Sequence, residues 1–167
     1  MIANWNAGYI FYLTRQYDQA IEQERKTLEL NPSFVPTYGV LGESYMQKSM
    51  YKEALAEFEK ALAISPDSAD ALRGLGEAYV LGGRKAEAQK VLDRLNELSK
   101  HKYVAAWTYA AVYVALGQQD KAYQWLEKAY EERSISLAPS IKGDPMWDPL
   151  RSDPRFADLL RRMNLQP

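Results

Sequence analysis

The hydrophobic and polar positions of the chain follow the period of an α-helix. The apolar residues between positions 51 and 64 fall on one stripe of such a helix, at Ala54, Leu55, Phe58, Ala61 and Leu62. A second helical stretch precedes it, from about residue 37 to residue 48, and a short polar break around Ser49 separates the two. The segment therefore predicts two helices joined by a turn.

This pattern returns at a constant interval along the chain. LGESY at 41–45 is answered by LGEAY at 75–79, and four windows align without gaps on Met1, Val35, Ala69 and Tyr103. Each window has a small residue at its eighth position, an aromatic one at its eleventh and alanine at its twentieth: Gly8, Phe11 and Ala20; Gly42, Tyr45 and Ala54; Gly76, Tyr79 and Ala88; Ala110, Tyr113 and Ala122. The recurrence predicts four helix pairs, over residues 1–34, 35–68, 69–102 and 103–133.

The recurrent glycine needs an explanation, because glycine inside a helix costs about 1 kcal/mol relative to alanine. Gly42 recurs with Ala54, and Gly76 with Ala88. We interpret each combination as the close crossing of two antiparallel helices, where backbone fits and a larger side chain does not. A bend in the helix is the alternative interpretation.

The C-terminal part of the chain, from position 134 onward, differs from the repeats in composition. Prolines stand at positions 139, 145, 149 and 154, and aspartate precedes three of them. Asp153 is expected to be an N-cap and Pro154 the first helical residue, followed by the apolar stripe of Phe156, Leu159, Leu160 and Met163. Residues 134–167 are thus predicted to form a proline-rich connection and a C-terminal helix that caps the fourth pair.

The four windows resemble the tetratricopeptide repeat, which has a period of about 34 residues and small and aromatic residues at these offsets. The resemblance implies an all-α, right-handed solenoid of about four helix pairs, whose first helices line a concave groove. It also implies a non-catalytic scaffold that binds a peptide or protein segment in that groove. Glu24 and Thr27 depart from the family pattern, which prefers a large and a small apolar residue there.

Carrying over the positions that commonly face the groove in this family gives candidate binding residues. They are Trp5, Tyr9, Tyr12, Glu43, Met46, Arg73, Glu77 and Trp107. Aromatic and arginine side chains are the usual anchors of interfaces, so the resemblance implies an apolar or aromatic partner segment. Some family members clamp the terminal carboxylate of chaperone tails, but here the clamp positions hold Trp5, Tyr9, Val40, Asp70 and Gly74. Acidic chaperone tails are therefore not expected to bind.

A second likeness keeps an alternative open. The run DPLRSDPRFADLLRRMNL, with the fourth window before it, is similar to the C-terminal end of bacterial multidomain regulators. In those proteins tetratricopeptide repeats follow a winged-helix, nucleotide-cyclase or protein-kinase domain. This likeness implies a regulatory or self-associating array detached from such a protein, which could form a homo-oligomer through its terminal repeat. The aromatic residues of the first window would then cover a neighbouring repeat instead of a ligand.

Composition and charge argue against other classes. Twenty-one Lys and Arg against 22 Asp and Glu give a formal net charge of −1, so there is no basic surplus for nucleic acid. The chain has no cysteine, which fits a reducing compartment, and no long apolar run or leader, so we expect a cytoplasmic protein with no membrane partner. His101 is the only histidine and no phosphate-binding loop is present, so no metal, cofactor or enzyme activity is expected.

Overall fold

The structure, a computed structural model, describes residues 2–134 and 141–165. Its helices follow in pairs: α1 (Ile2–Leu13) and α2 (Tyr17–Leu30), α3 (Val35–Gln47) and α4 (Tyr51–Ile64), α5 (Ala69–Leu81) and α6 (Lys85–Ser99), α7 (Ala106–Ala115) and α8 (Gln119–Glu131). A 3₁₀-helix (Pro145–Leu150) and α9 (Pro154–Arg162) follow, and none of the described residues lies in a strand. The predicted all-α repeat fold is confirmed.

The two helices of each pair are joined by the same kind of turn. Arg15, Ser49, Gly83 and Gly117 have positive φ angles of 62°, 60°, 79° and 70°, and each is the fifteenth residue of its window. This left-handed conformation suits glycine and costs other residues about 1–2 kcal/mol. The backbone conformation of this turn therefore recurs with the same period as the sequence pattern.

The helix pairs stack so that one wall consists of odd-numbered helices. Each helix packs against the next one in the chain, and α1 contacts α3, α3 contacts α5, and α5 contacts α7. The large buried side chains Phe58, Leu72, Leu92 and Leu95 belong to one core cluster that extends from Ile21 on α2 to Val112 on α7. Consequently α1, α3, α5 and α7 lie side by side and present one continuous surface.

The recurrent glycine has a packing reason, as predicted, and the side chains nearest to it are other than the expected alanines. A Cβ atom added to Gly42 would lie 2.5 Å from the ring of Phe58, so the glycine gives room to that ring. At Gly76 the nearest atoms belong to valine side chains at 3.3 and 3.4 Å, and Ala88 is not among them. The glycines therefore let aromatic and branched side chains approach the backbone of the first helix.

The first pair has a carboxylate where the second has an aromatic ring. Glu24 occupies the window position that Phe58 holds in the second pair, and it faces Gly8 and is fully buried, as is Thr27 one turn further along. Neither carboxylate oxygen has a hydrogen-bond partner of ordinary geometry among the described residues. Burial raises the pKa of Glu24 to about 8, and nearby Thr37 only partly opposes that rise. The core of the first pair thus contains a buried carboxyl group, and its burial favours the neutral form.

The C-terminal helix caps the fourth pair as predicted. Asp153 accepts a hydrogen bond from the backbone N–H of Arg155, and Pro154 is the first residue of α9. Phe156, Leu159 and Leu160 are buried in one cluster with residues of α7 and α8, while Met163 packs at its edge. Of the predicted proline-rich connection, residues 135–140, including Pro139, lie outside the described residues.

Candidate functional site

A cavity of about 500 Å³ opens on the wall of odd-numbered helices. Three aromatic side chains line it: Trp5 and Tyr9 from α1 and Trp107 from α7. Its charged lining residues are Glu43 from α3, Asp70 and Arg73 from α5, and Asp144 from the segment after α8. All four helix pairs therefore contribute to one site, together with the C-terminal segment.

The aromatic residues of α1 form a ladder along one helix face. Trp5 stacks on Tyr9 with ring centroids 5.8 Å apart and an angle of 4° between the rings, and Tyr9 stacks on Tyr12 at 6.1 Å. Phe34, in the α2–α3 connection, packs against Trp5 in a T-shaped arrangement with ring centroids 6.3 Å apart. Spacings of three and four residues place these side chains on one face of the helix. Their mutual packing holds the rings in position before any ligand arrives.

A buried guanidinium lies at the centre of the site. Arg73 Nη1 donates a hydrogen bond of 2.6 Å to Glu77 Oε1, one turn along α5, and Arg73 Nη2 donates to Glu43 Oε1 on α3. The guanidinium carbon also lies 5.4 Å from the ring centroid of Trp107. All four residues are buried, so the ion pairs are shielded from water and weakly screened by salt.

The segment after α8 crosses this wall and reaches the first helix. The Tyr12 hydroxyl donates a hydrogen bond of 2.8 Å to Asp144 Oδ1, and Arg15 forms an ion pair of 2.8 Å with Asp148. Met146 Sδ lies 3.9 Å from Arg73 Nη1. The 3₁₀-helix also packs against α7 and fully buries Trp147 there. The C-terminal segment therefore connects α7 with α1 and forms one edge of the cavity.

The buried carboxyl groups outnumber the buried cation. Burial raises the pKa of Glu43 to about 8, although Arg73 opposes the rise and Asp144 adds to it. Burial also raises the pKa of Glu77 and of Asp144 above their usual values, again against the effect of Arg73. One guanidinium thus faces three buried carboxyl groups, and burial shifts the pKa of all three toward the neutral form.

The structure places the eight residues proposed from the sequence in two environments. Five of them line the cavity: Trp5, Tyr9, Glu43, Arg73 and Trp107. The other three lie behind it: Tyr12 is bonded to Asp144, Met46 belongs to the core between the helix pairs, and Glu77 is bonded to Arg73. Sequence reasoning did not single out Asp144 or Met146, because the only signal there was a turn of the Asp-Pro type.

Within residues 2–134 and 141–165, no group of three or more His, Asp or Glu side chains is placed to hold a metal ion. In the same part of the chain, every helix is too short or too polar to cross a membrane.

Comparisons with known proteins agree with this architecture. Two family models, both described as tetratricopeptide repeat, match residues 45–98 and 105–139, which together make up more than half of the chain. The crystal structure of YrrB, described as a TPR protein with an unusual peptide-binding site, is 24% identical, covers 95% of this chain and 82% of its own, and has a TM-score of 0.52. At that identity the likeness concerns the fold alone. No curated protein matches the chain.

Proposed function

Because this chain is a tetratricopeptide-repeat protein, we propose that it is a non-catalytic scaffold that binds a protein or peptide segment in the cavity on its odd-numbered helices. The observation that carries the proposal is the cavity itself, to which Trp5, Tyr9 and Trp107 contribute aromatic rings. The proposal treats residues 1–133 as four repeats and residues 134–167 as the connection and cap.

The size and lining of the cavity suit a few side chains of an extended segment. Its volume of about 500 Å³ lies within the usual range of ligand pockets. Tryptophan, tyrosine and arginine are the residues that most often anchor interfaces, and here all three line one cavity. The aromatic rings of α1 are already stacked on one another. Because these side chains are ordered before a ligand binds, the entropic cost of binding is smaller.

The charges of the cavity disfavour a terminal carboxylate. A carboxylate entering the cavity would meet Glu43, Asp70 and Asp144, while Arg73 is already paired with two carboxyl groups. Without free donors its desolvation would not be compensated. We therefore propose that the segment binds through internal residues and that chaperone tails are not ligands. Nucleic acid is disfavoured on the same ground, because its phosphates would meet the same carboxyl groups.

Selection from a randomised peptide library against the full chain tests this function. Captured peptides are titrated by calorimetry into the wild type, Trp5→Ala and the control Tyr103→Ala, whose ring is 70% exposed and outside the cavity. We expect Trp5→Ala to weaken binding about 10-fold or more, as the loss of an anchor does. The control variant should bind as the wild type does, and so should each peptide with its C-terminus amidated. No captured peptide, or equal binding by both variants, would contradict the proposal.

One observation favours self-association as a second function, in a regulatory array of the bacterial type. Ile10 on α1 and Leu30 at the end of α2 are 58% and 65% exposed, although both are apolar. Single exposed apolar residues are common on soluble proteins, so this surface supports the alternative less than the cavity supports binding. Sedimentation velocity over a concentration series separates the two: a dimer that is lost in Ile10→Ser would favour the array.

A further inference from the structure

The cavity has an excess of acidic groups that its own residues do not neutralise. Glu43 and Asp144 line it and are buried, and Asp70 lies exposed at its rim. The cation in its lining, Arg73, is shared between Glu43 and Glu77. The three buried carboxyl groups Glu43, Glu77 and Asp144, with Asp70 at the rim, therefore surround one guanidinium, and an incoming positive charge would meet more attraction than repulsion.

Aromatic rings that can attract a cation line the same cavity. Trp5 and Tyr9 line it on the α1 side and Trp107 on the α7 side. The faces of such rings attract cations within about 6 Å of the ring centroid. Arg73 already uses this attraction, since its guanidinium lies 5.4 Å from the centroid of the Trp107 ring. The rings also offer apolar surface on which a methylene stem can pack.

We propose that the cavity receives a lysine or arginine side chain of the bound segment. Its stem packs against Trp5, Tyr9 and Trp107, and its charge lies among Glu43, Asp70 and Asp144. This inference rests on the proposed function, because it names the side chain that a bound segment inserts. It refines the sequence-based expectation of an apolar or aromatic partner by adding one required positive charge.

The affinity of the cavity for a cation should also depend on pH. Burial raises the pKa of Glu43 to about 8 and shifts the pKa values of Glu77 and Asp144 in the same direction, and a bound cation favours the charged carboxylates, so binding of the cation should release protons. A lysine side chain stays charged throughout the range from pH 6 to 8. Its affinity should therefore rise with pH over that range. The titratable and charged groups that face the cluster come from α1, α3, α5 and the C-terminal segment: Tyr9, Tyr12, Glu43, Asp70, Arg73, Glu77, Asp144, Asp148 and Arg151.

Nuclear magnetic resonance titration with two matched probes tests the inference on the full chain. The probes are Nα-acetyl-lysine N-methylamide and Nα-acetyl-norleucine N-methylamide, which share the apolar stem and differ in the charged group. We expect the lysine probe to shift the indole signals of Trp5 and Trp107 saturably and to bind at least fivefold more tightly than the norleucine probe. The indole signal of Trp125, which lies outside the cavity, should not move.

Two aspartates of the same exposed region provide the variants. Asp70→Asn removes a charge from the rim of the cavity, and Asp67→Asn removes one three residues earlier, outside it. Asp70→Asn should lower the affinity for the lysine probe about threefold, as the loss of an exposed charge pair does. Asp67→Asn should leave that affinity unchanged. Equal binding of both probes, no shift by either, or equal effects of both variants would overturn the inference.

These outcomes are distinct from failure of the proposed function. If library peptides bind and tolerate replacement of every lysine and arginine by norleucine, the scaffold function stands and the cation site is wrong. If no peptide binds but the lysine probe shifts both indoles, the cation site stands and the scaffold function is wrong.

Discussion

The Tyr12 hydroxyl on the first helix donates a hydrogen bond of 2.8 Å to Asp144 Oδ1, 132 residues further along the chain. Both side chains are buried. Asp144 also accepts a hydrogen bond from the backbone N–H of Met146 and so begins the 3₁₀-helix. The bond to Tyr12 therefore fixes the C-terminal segment to the opposite end of the repeat array and fixes one edge of the cavity.

Removing this hydroxyl should loosen the contact between the two ends. Tyr12→Phe leaves a buried carboxyl group without one of its partners, so the free energy of unfolding should fall by about 1–3 kcal/mol. Urea denaturation measures the change. Tyr51→Phe is the matched control, because the Tyr51 hydroxyl is exposed and has only a weak contact of 3.4 Å with Ser49. Equal unfolding curves for the two variants would show that the bond contributes nothing.

The contribution of the cap can be measured at Phe156. This ring is buried against the fourth helix pair, so Phe156→Ala should lower the free energy of unfolding by about 3–5 kcal/mol, as large core deletions do. Ile64→Ala, a truncation at a position that is 41% exposed, should cost far less. An unchanged melting temperature of Phe156→Ala would mean that the repeats are stable without the cap.

The buried carboxyl group of Glu24 should make stability depend on pH. Its pKa is raised from 4.5 to about 8 in the folded chain, so between these values the folded chain binds a proton that the unfolded chain has lost. The contribution of Glu24 to the free energy of unfolding is therefore fully present below pH 4.5. It declines as the pH rises to 8, by up to about 1.4 kcal/mol per pH unit.

Glu24→Gln isolates this effect from the other buried carboxyl groups. The variant should lose stability less steeply than the wild type between pH 5 and 8, as measured by urea denaturation at each pH. Glu22→Gln serves as the control, because Glu22 is exposed and its pKa is lowered by Lys26. Parallel pH profiles for the wild type and Glu24→Gln would contradict the buried, neutral carboxyl group.

Two glycines of one helix should respond in opposite directions to alanine. Gly42→Ala places a methyl group against the Phe58 ring and should cost about 1–3 kcal/mol by overpacking. Gly39→Ala meets no atom within 4 Å and should stabilise the helix by about 0.5–1 kcal/mol, because alanine is the better helix former. Thermal unfolding of both variants gives the comparison. A gain of stability in Gly42→Ala would show that the ring has room to move.

The repeat could be predicted from the sequence because its causes are local. The apolar stripe of each helix, and residues such as Gly42 and Tyr45, recur in one constant frame. Even the turn conformation at Arg15 and Ser49 follows this frame, although neither residue is a glycine. Asp153 and Pro154 likewise predicted the start of α9, because capping depends on a few neighbouring residues.

The C-terminal edge of the cavity could not be predicted, because it depends on a contact between distant residues. No local pattern connects Tyr12 with Asp144 or places Trp147 on α7. The groove positions of the family describe an open groove, whereas here the C-terminal segment covers part of that wall. Glu24 was visible as a departure from the family pattern, but only packing shows that its carboxyl group is fully buried.

The central claim is that a protein segment binds on the wall of odd-numbered helices. A titration of the isotope-labelled chain with a library-selected peptide, followed by backbone amide and indole signals, tests it most directly. We predict that the largest shifts cluster around the cavity, in α1, α3, α5 and α7, and include the indoles of Trp5 and Trp107. Shifts confined to the outer helices α2, α4, α6 and α8 would contradict the account.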